Sequence, residues 1–190
     1  MKRVRPGYYR PVNWKRRTLV ATAALAAAAL VLFVGTHAGA AVARAGCRGQ
    51  GSAGAAATAQ ERAMLCLVNR ARAQRGLDPL AAPSSLARAA DRKSADILRC
   101  DEFSHEACGR EFTYWIERVG YRGCREGENI AYGSGGYSTP RAIFQLWMHS
   151  SGHRENILGP YADIGIGLRI GSLEGHRGAH VWTQEFGAPC

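Results

Sequence analysis

The sequence predicts an α+β domain of layered helices and strands, preceded by an export segment. Two observations predict this class. Between residues 58 and 158 the apolar residues recur at helical spacing, whereas in YADIGIGLRI, residues 161–170, they alternate with glycine and arginine as in a half-buried β-strand. The strand patterns follow the helices instead of alternating with them, which favours an α+β domain over a repeated βαβ fold.

Residues 1–40 have the layout of a secretory signal. A basic stretch precedes an apolar run at residues 18–35, and Ala38-Gly39-Ala40 provides a small-residue cleavage site. The apolar run is also long enough for an uncleaved N-terminal anchor, which stays open as an alternative. We therefore expect the rest of the chain to be secreted, or tethered to the outer face of the cytoplasmic membrane.

The positive charge belongs mostly to this export segment. The formal net charge of +10 falls to +3 beyond residue 40, because the first 40 residues carry seven Lys or Arg and no acid. Basic and acidic residues alternate in the remainder, so we expect no nucleic-acid partner. Residues 41–57 contain Ala, Gly, Ser and Arg with almost nothing large, which predicts a flexible linker before a domain at residues 58–190.

Four helices are predicted in order. Thr58 and Glu61 fit a capping box at the start of the first helix, and Gly76 ends it. The second helix starts at Pro83, the third covers residues 110–119, and the fourth starts at Thr139-Pro140. The apolar residues expected to face inward are Met64, Leu65, Leu67, Val68 and Ala71 in the first helix, Leu86, Ala90 and Ile97 in the second, Phe112, Trp115, Ile116 and Val119 in the third, and Ile143, Leu146 and Trp147 in the fourth.

Strands are predicted at residues 161–170 and in HVWTQEF, residues 180–186, with a short one at ENIAY, residues 128–132. In the first of these, Gly165 and Gly167 alternate with the apolar residues. Glycine inside a strand indicates close approach of another element. The residues expected on the buried face are Ile164, Ile166, Leu168 and Ile170.

All six cysteines lie beyond the export segment. An even number of cysteines in an exported chain favours disulfides, so we expect no free thiol. Cys100 and Cys108 close a short loop and are the predicted pair. A zinc site of Cys100, His105 and Cys108 is the alternative interpretation.

His149 and His153 stand four residues apart, the spacing of a zinc-protease helix. The Glu of the HExxH motif is missing, and Ser-Ser-Gly between the two histidines is a poor helix interior. We therefore expect the two rings on different faces, with His149 exposed.

Several ordered motifs together carry a family resemblance. The chain from about residue 63 to residue 187 resembles the CAP superfamily of cysteine-rich secretory, antigen 5 and pathogenesis-related proteins, in its bacterial SCP-domain branch. The motifs are LVNRARAQRGLDPL at residues 67–80, FSH at 103–105, GENIAYG at 127–133, WMHSSGHRENIL at 147–158, DIGIG at 163–167 and VWTQEFG at 181–187.

The resemblance implies a three-layer α-β-α sandwich with a cleft, lined in many members by two histidines and two glutamates able to hold a divalent cation. His105 matches the first histidine, Glu128 matches the glutamate of the GEN motif, and Asn129 follows it. Ser150 stands at the place of the second glutamate, and His153 substitutes for the second histidine. The implied cleft residues are thus His105, Glu128, Asn129, Ser150 and His153, and the implied ligands of zinc or a similar ion are His105, His153 and Glu128.

Two functions fit these residues. The first is a non-catalytic binding module at the cell envelope or outside the cell, with a lipid, peptidoglycan or a protein as its ligand. The second is a metal-assisted hydrolase or peptidase with Glu128 as the base. The first is favoured, because a zinc hydrolase needs three protein ligands and a separate base, and only three candidate residues exist for these four roles.

Overall fold

The computed structural model describes residues 46–190, so the predicted signal or anchor at residues 1–40 lies outside the described residues. Within 46–190, no helix has the length and apolar character needed to cross a bilayer. Short 3-10 turns occur at Ala107–Gly109 and Gly135–Ser138. The elements are α1 (Ala57–Ala73), α2 (Ser84–Cys100), α3 (Tyr114–Arg118), β1 (Gly123–Gly133), α4 (Pro140–His149), α5 (Ser151–Leu158), β2 (Asp163–Leu173) and β3 (His176–Pro189).

The three strands form one antiparallel sheet in the order β1-β3-β2. The central strand β3 places Glu185 between Glu128 of β1 and Gly165 of β2. Side chains alternate between the two faces along each strand. Residues 181–187 of β3 are all buried, so both faces of the sheet are covered.

Helices cover both faces, which confirms the predicted α+β class and the three-layer sandwich. On one face, Ile97 of α2 packs with Ile130 and Val181 of the sheet, and α3 packs against α2 through Ile116. On the other face, α1, α4 and α5 pack on the sheet. Their shared core contains Met64, Val68, Leu80, Ala131, Ile143, Trp147, Ile157, Ile164, Ile166, Leu168, Trp182 and Phe186.

The backbone of α2 lies directly on β2, at the two glycines. A Cβ atom on Gly165 would overlap the carbonyl group of Leu86, and a Cβ on Gly167 would overlap the backbone of Ala90. No side chain other than hydrogen fits at these positions. The predicted close approach at the two glycines is confirmed, and the approaching element is α2.

Of two predicted helix N-caps, one agrees with the structure and the other does not. Thr139 caps α4 by accepting a hydrogen bond from the Ala142 amide at 3.2 Å, as predicted. The predicted capping box at Thr58 is wrong, because Ala56 is the N-cap of α1. Glu61 instead accepts a hydrogen bond from the Leu168 amide at 3.0 Å and so ties α1 to β2.

Three further details of the prediction need correction. The third helix is shorter than residues 110–119, since only Tyr114–Arg118 is α-helical. Leu146 is 55% exposed, because it faces away from the sheet beside exposed Tyr137. Ile170 is 52% exposed, since it lies past the part of β2 that contributes to the main core.

Residues 46–56, in the segment predicted to be a flexible linker, are attached to the domain. Cys47 is buried and forms a disulfide with Cys66 of α1. Gln60 donates hydrogen bonds to the carbonyl oxygens of Ala53 at 2.9 Å and Ala55 at 2.8 Å. The folded domain therefore begins before residue 58, because these polar contacts and the disulfide hold the preceding segment in place.

All six cysteines are paired, as predicted. Cys100 and Cys108 form the expected disulfide, so their sulfurs are not zinc ligands and the alternative interpretation of this loop is wrong. Cys47 is bonded to Cys66, and Cys124 to Cys190. The last pair links the start of β1 to the C-terminus.

A buried arginine joins the end of α1 to the end of α5. Arg72 donates hydrogen bonds to the carbonyl oxygens of Asp78 at 2.7 Å, Ile157 at 3.0 Å and Gly159 at 2.8 Å. Burial lowers the pKa of its guanidinium. Five N–H donors in a planar group suit a site made of several carbonyls, which explains an arginine at this place in LVNRARAQRG.

Replacing Gly167 by Ala should lower the free energy of unfolding by at least about 2 kcal/mol, because the new methyl group collides with helix backbone that cannot rotate away. Urea unfolding measures the loss. Gly136→Ala is the matched control, since a Cβ there meets no atom within 4 Å. Equal stability of both variants would contradict the close packing of α2 on β2.

Candidate functional site

The outer edge of β1 is closed by side chains instead of by another strand. An unpaired strand edge exposes carbonyl groups that require donors. Three carbonyl groups of β1, at every second residue, accept hydrogen bonds from side chains of residues that follow in the chain. The donors are Tyr161 Oη to Glu126 at 3.3 Å, Asn156 Nδ2 to Glu128 at 3.1 Å and Trp147 Nε1 to Ile130 at 3.1 Å.

Two asparagines connect this edge to α5. Asn129 Nδ2 donates to the carbonyl oxygen of His153 at 3.0 Å and to Gln184 Oε1 at 3.0 Å. Asn156 Nδ2 in turn donates to Asn129 Oδ1 at 2.9 Å. Asn129, predicted to line the cleft, thus holds the backbone of His153 beside β1.

The chain changes direction between the two histidines of the zinc-protease spacing. Ser150 has extended backbone angles, ends α4 and begins α5. His149 is exposed, as predicted, and its Nδ1 lies 2.7 Å from the Gln145 carbonyl oxygen. His153 belongs to the next helix, where it lies beside Asn129.

Glu128 and His105 form the closest polar contact of the site. His105 Nδ1 lies 2.6 Å from Glu128 Oε1, and Lys93 Nζ lies 3.7 Å from the same oxygen. Lys93 Nζ also donates to the carbonyl oxygen of His105. The side chains of Lys93 and Glu128 are 2% and 1% exposed, whereas that of His105 is 52% exposed. A buried ion pair therefore fixes a histidine ring whose Nε2 forms no hydrogen bond within residues 46–190.

A second buried carboxyl group faces Glu128. Glu185 lies directly opposite Glu128 in the antiparallel pair and is fully buried. Burial raises the pKa of Glu185 well above its ordinary value, and the charge of Glu128 raises it further. The protonated form of Glu185 is favoured, since two carboxylates side by side in a dry site repel each other. That proton allows Glu185 to donate a hydrogen bond to Glu128.

His153 completes the site from the other side of β1. Burial lowers the pKa of its imidazole, and the charge of His105 lowers it further. Neutral His153 is therefore favoured. His153 Nδ1 and Gln184 Nε2 are buried and have no hydrogen-bond partner among residues 46–190, whereas Glu128 Oε2 and the oxygens of Glu185 have none besides each other.

The donor types at this site suit zinc, but their positions do not assemble a metal centre. Within residues 46–190, no group of three or more His, Cys, Asp or Glu side chains is placed to hold a metal ion. Nδ1 of His105 is already engaged by Glu128. The predicted set of His105, His153 and Glu128 does not fit a three-ligand ion in this arrangement, and metal binding stays a prediction.

Sequence reasoning missed Lys93 and Glu185. A signal for Lys93 exists, because it stands on the helical face of α2 that also carries Leu86, Ala90 and Ile97. A lysine on a buried face requires a buried partner. Glu185 is the one acid among seven consecutive buried residues of β3, residues 181–187, but the pattern does not reveal that Glu128 lies opposite.

The family model described as "Cysteine-rich secretory protein family", CAP, matches residues 65–186, which is more than half of the chain. This chain is a member of the CAP family. The match includes Glu128, His105 and His153, so the site lies inside the family domain.

Known relatives agree with this membership. The Bacillus subtilis (strain 168) protein YkwD is 34% identical over 139 residues, which cover 71% of this chain and 49% of that protein. An extracellular SCP-domain protein from Bacillus anthracis is 25% identical with a TM-score of 0.60, covering 70% of this chain and 41% of that one. This CAP chain thus spans less than half the length of either protein.

A more distant structure shows the same fold. An outer surface protein from Borrelia burgdorferi has a TM-score of 0.58 at 16% identity, and the match covers 67% of this chain and 90% of that one. At this identity the likeness concerns the fold alone. The three-layer arrangement therefore persists where most side chains differ.

Replacing Glu185 by Gln should make stability less dependent on pH. In the wild type, the unfolded carboxyl loses its proton near pH 4.5 while the folded one retains it, so the free energy of unfolding falls as pH rises above 4.5. Each unit of raised pKa corresponds to about 1.4 kcal/mol. Gln stays neutral, so the variant should exceed the wild type in stability at pH 8 and lose this advantage near pH 4.

Urea unfolding at pH 4, 6 and 8 checks this expectation. Glu111→Gln, at an exposed position, is the control and should follow the wild type at each pH. Parallel pH profiles for Glu185→Gln and the wild type would show that Glu185 ionises as it does in the unfolded chain.

Proposed function

We propose that this CAP protein is a non-catalytic binding module that works outside the cytoplasm. Its ligand contacts the exposed ring of His105 and the adjoining surface at His153, with Asn129 and Ser150 beside it and the buried Glu128 behind the His105 ring. The ligand is polar, as are the glycan and peptide parts of the cell wall. Lipid and protein ligands are the other outcomes that the binding experiment distinguishes.

One observation carries this proposal: a half-exposed histidine ring is held in place by a buried ion pair. His105 is oriented by Glu128 at 2.6 Å, and its ring remains half exposed. Buried donors and acceptors without partners cost free energy, and an incoming polar group or ordered water supplies the missing bonds. His153 Nδ1 is such an atom among the described residues.

The disulfides and the relatives support a location outside the cytoplasm. Three disulfides in one domain are typical of oxidising compartments. The matching proteins include one described as extracellular and one described as an outer surface protein. Export through the predicted signal at residues 1–40, with release or retention as an anchor, follows from the same proposal.

The alternative, a metal-assisted hydrolase, gains no support from the geometry. Such an enzyme requires a metal held by three side chains and a base free to activate water. Glu128, the candidate base, is already bonded to His105 and lies next to Lys93. The arrangement holds a ring in place and supports binding better than proton abstraction.

Cosedimentation with purified peptidoglycan sacculi tests the proposal. Binding should fall at least tenfold in His105→Ala, because the exposed hydrogen-bonding ring is removed, and also in Glu128→Gln, because the charge that pairs with Lys93 and strengthens the contact with the ring is lost. His149→Ala is the matched control, since this exposed histidine lies at the end of α4 and is not part of the proposed surface. Unchanged binding in both site variants would refute this surface as the ligand site, and absence of binding by the wild type would leave lipid vesicles and envelope proteins as the ligands to test.

Calorimetric titration with zinc tests the predicted metal binding separately. If His105, His153 and Glu128 move together around an ion, we expect weak binding that is lost in His105→Ala, His153→Ala and Glu128→Gln. The affinity should survive in His149→Ala. No heat with the wild type would show that the polar residues hold the site without a metal.

A further inference from the structure

A groove on the outer side of α2 carries a second cluster of functional groups. It lies between α2 and α3 and shares no residue with the site around Glu128. Its cavity has a volume of about 540 Å³. We call it the arginine groove, and its lining residues are Arg88, Arg92, Tyr114, Trp115, Arg118 and Val119.

The three arginines of the groove have no acidic partner in the described part of the chain. Within residues 46–190, none of Arg88, Arg92 and Arg118 takes part in an ion pair. Asp91 of the same helix is already paired with Arg169. Each carboxylate oxygen of Asp91 lies 2.6 Å from a guanidinium nitrogen of Arg169. The groove therefore concentrates three guanidinium groups that form no ion pair within residues 46–190.

An aromatic ring holds the central arginine in position. The guanidinium of Arg92 lies over the ring of Trp115, 5.1 Å from its centroid. Trp115 Nε1 donates to Asp96 Oδ2 at 2.8 Å, and Arg110 lies 5.2 Å from the same ring centroid. These contacts restrict the rotamers of Arg92 before any ligand arrives, which lowers the entropic cost of binding.

The groove continues along α2 into a cavity that also contains the carboxylate of Asp96. An adjoining cavity of about 290 Å³ shares Arg92 and Trp115 with the groove and reaches Arg99 and Arg110. Asp96 forms ion pairs with both of these, at 2.8 Å and 2.5 Å. Arg88 and Arg99 are about 16 Å apart along the helix axis, at 1.5 Å per residue. This length accommodates more than one anionic group.

We propose that the arginine groove is a binding site for a phosphate-bearing anion, with Arg88, Arg92 and Arg118 as its ligands. The planar guanidinium forms paired hydrogen bonds with phosphate oxygens. Three guanidinium groups around one cavity match an anion that has several oxygens and more than one negative charge. A carboxylate, with two oxygens and a single charge, satisfies one of them.

The chemistry is shared by two sources of phosphate, soluble phosphate chains and phospholipid headgroups. Calorimetry with sodium tripolyphosphate probes the first source. Cosedimentation with vesicles of phosphatidylglycerol and phosphatidylcholine, against pure phosphatidylcholine vesicles, probes the second. Citrate serves as an anion of similar charge that carries carboxylates only.

We expect tripolyphosphate to bind at least tenfold more tightly than citrate at fixed pH and salt. Arg92→Gln should weaken its binding at least tenfold, and Arg92→Lys should restore only part of it, because ammonium keeps the charge but loses the paired hydrogen bonds. Arg88→Gln/Arg118→Gln should weaken it further. The matched control is Arg62→Gln/Arg75→Gln, which removes the same charge from exposed positions on and after α1 and should change affinity less than twofold.

Binding to the anionic vesicles, lost in the same groove variants, would assign the phosphate to lipid headgroups; binding of tripolyphosphate alone would assign it to a soluble chain. The proposal is overturned if neither probe binds the folded wild type, if citrate binds equally well, or if the control double variant weakens binding as much as the groove variants. Circular dichroism of each variant confirms that the comparison is made between folded proteins.

Discussion

The position of the whole site depends on backbone contact between α2 and β2. Because Gly165 and Gly167 have no side chains, the helix rests on the strand, and its register along the sheet is fixed. Ser94, one turn beyond Ala90, consequently reaches Thr183 at 2.9 Å. Lys93 beside it reaches Glu128. A larger residue at either glycine would lift the helix and separate the lysine from its carboxylate.

The other half of the site depends on the closed edge of β1. Side chains from α4, α5 and the segment after α5 satisfy three carbonyls of this strand, and Asn129 returns a hydrogen bond to the backbone of His153. The residues of WMHSSGHRENIL that face β1 therefore supply hydrogen-bond donors that the carbonyl groups at this strand edge require. A ligand that binds at His153 meets a helix held by hydrogen bonds that are already formed, so little ordering cost remains.

The sequence predicted the layers and the motifs better than the side-chain partners. The spacing of apolar residues and the positions of glycines identified α2, α4 and β2, because these patterns depend on which face of the element is buried. The capping box at Thr58 failed, since Glu61 found a partner more than 100 residues away in Leu168. The pairing of Glu128 with Glu185 was likewise outside the reach of local patterns, because strand register between distant segments decides it.

One helix separates two kinds of charge. The inner face of α2 carries Lys93, which is neutralised by Glu128, while the outer face carries Arg88 and Arg92, which have no acidic partner among residues 46–190. A helix with its side chains is about 10 Å across, so the body of α2 lies between the outer face and the buried ion pair. The two surfaces share no side chain, and the backbone of α2 rests on β2. If the arginine groove binds an anion as proposed, the two surfaces should therefore bind their ligands independently.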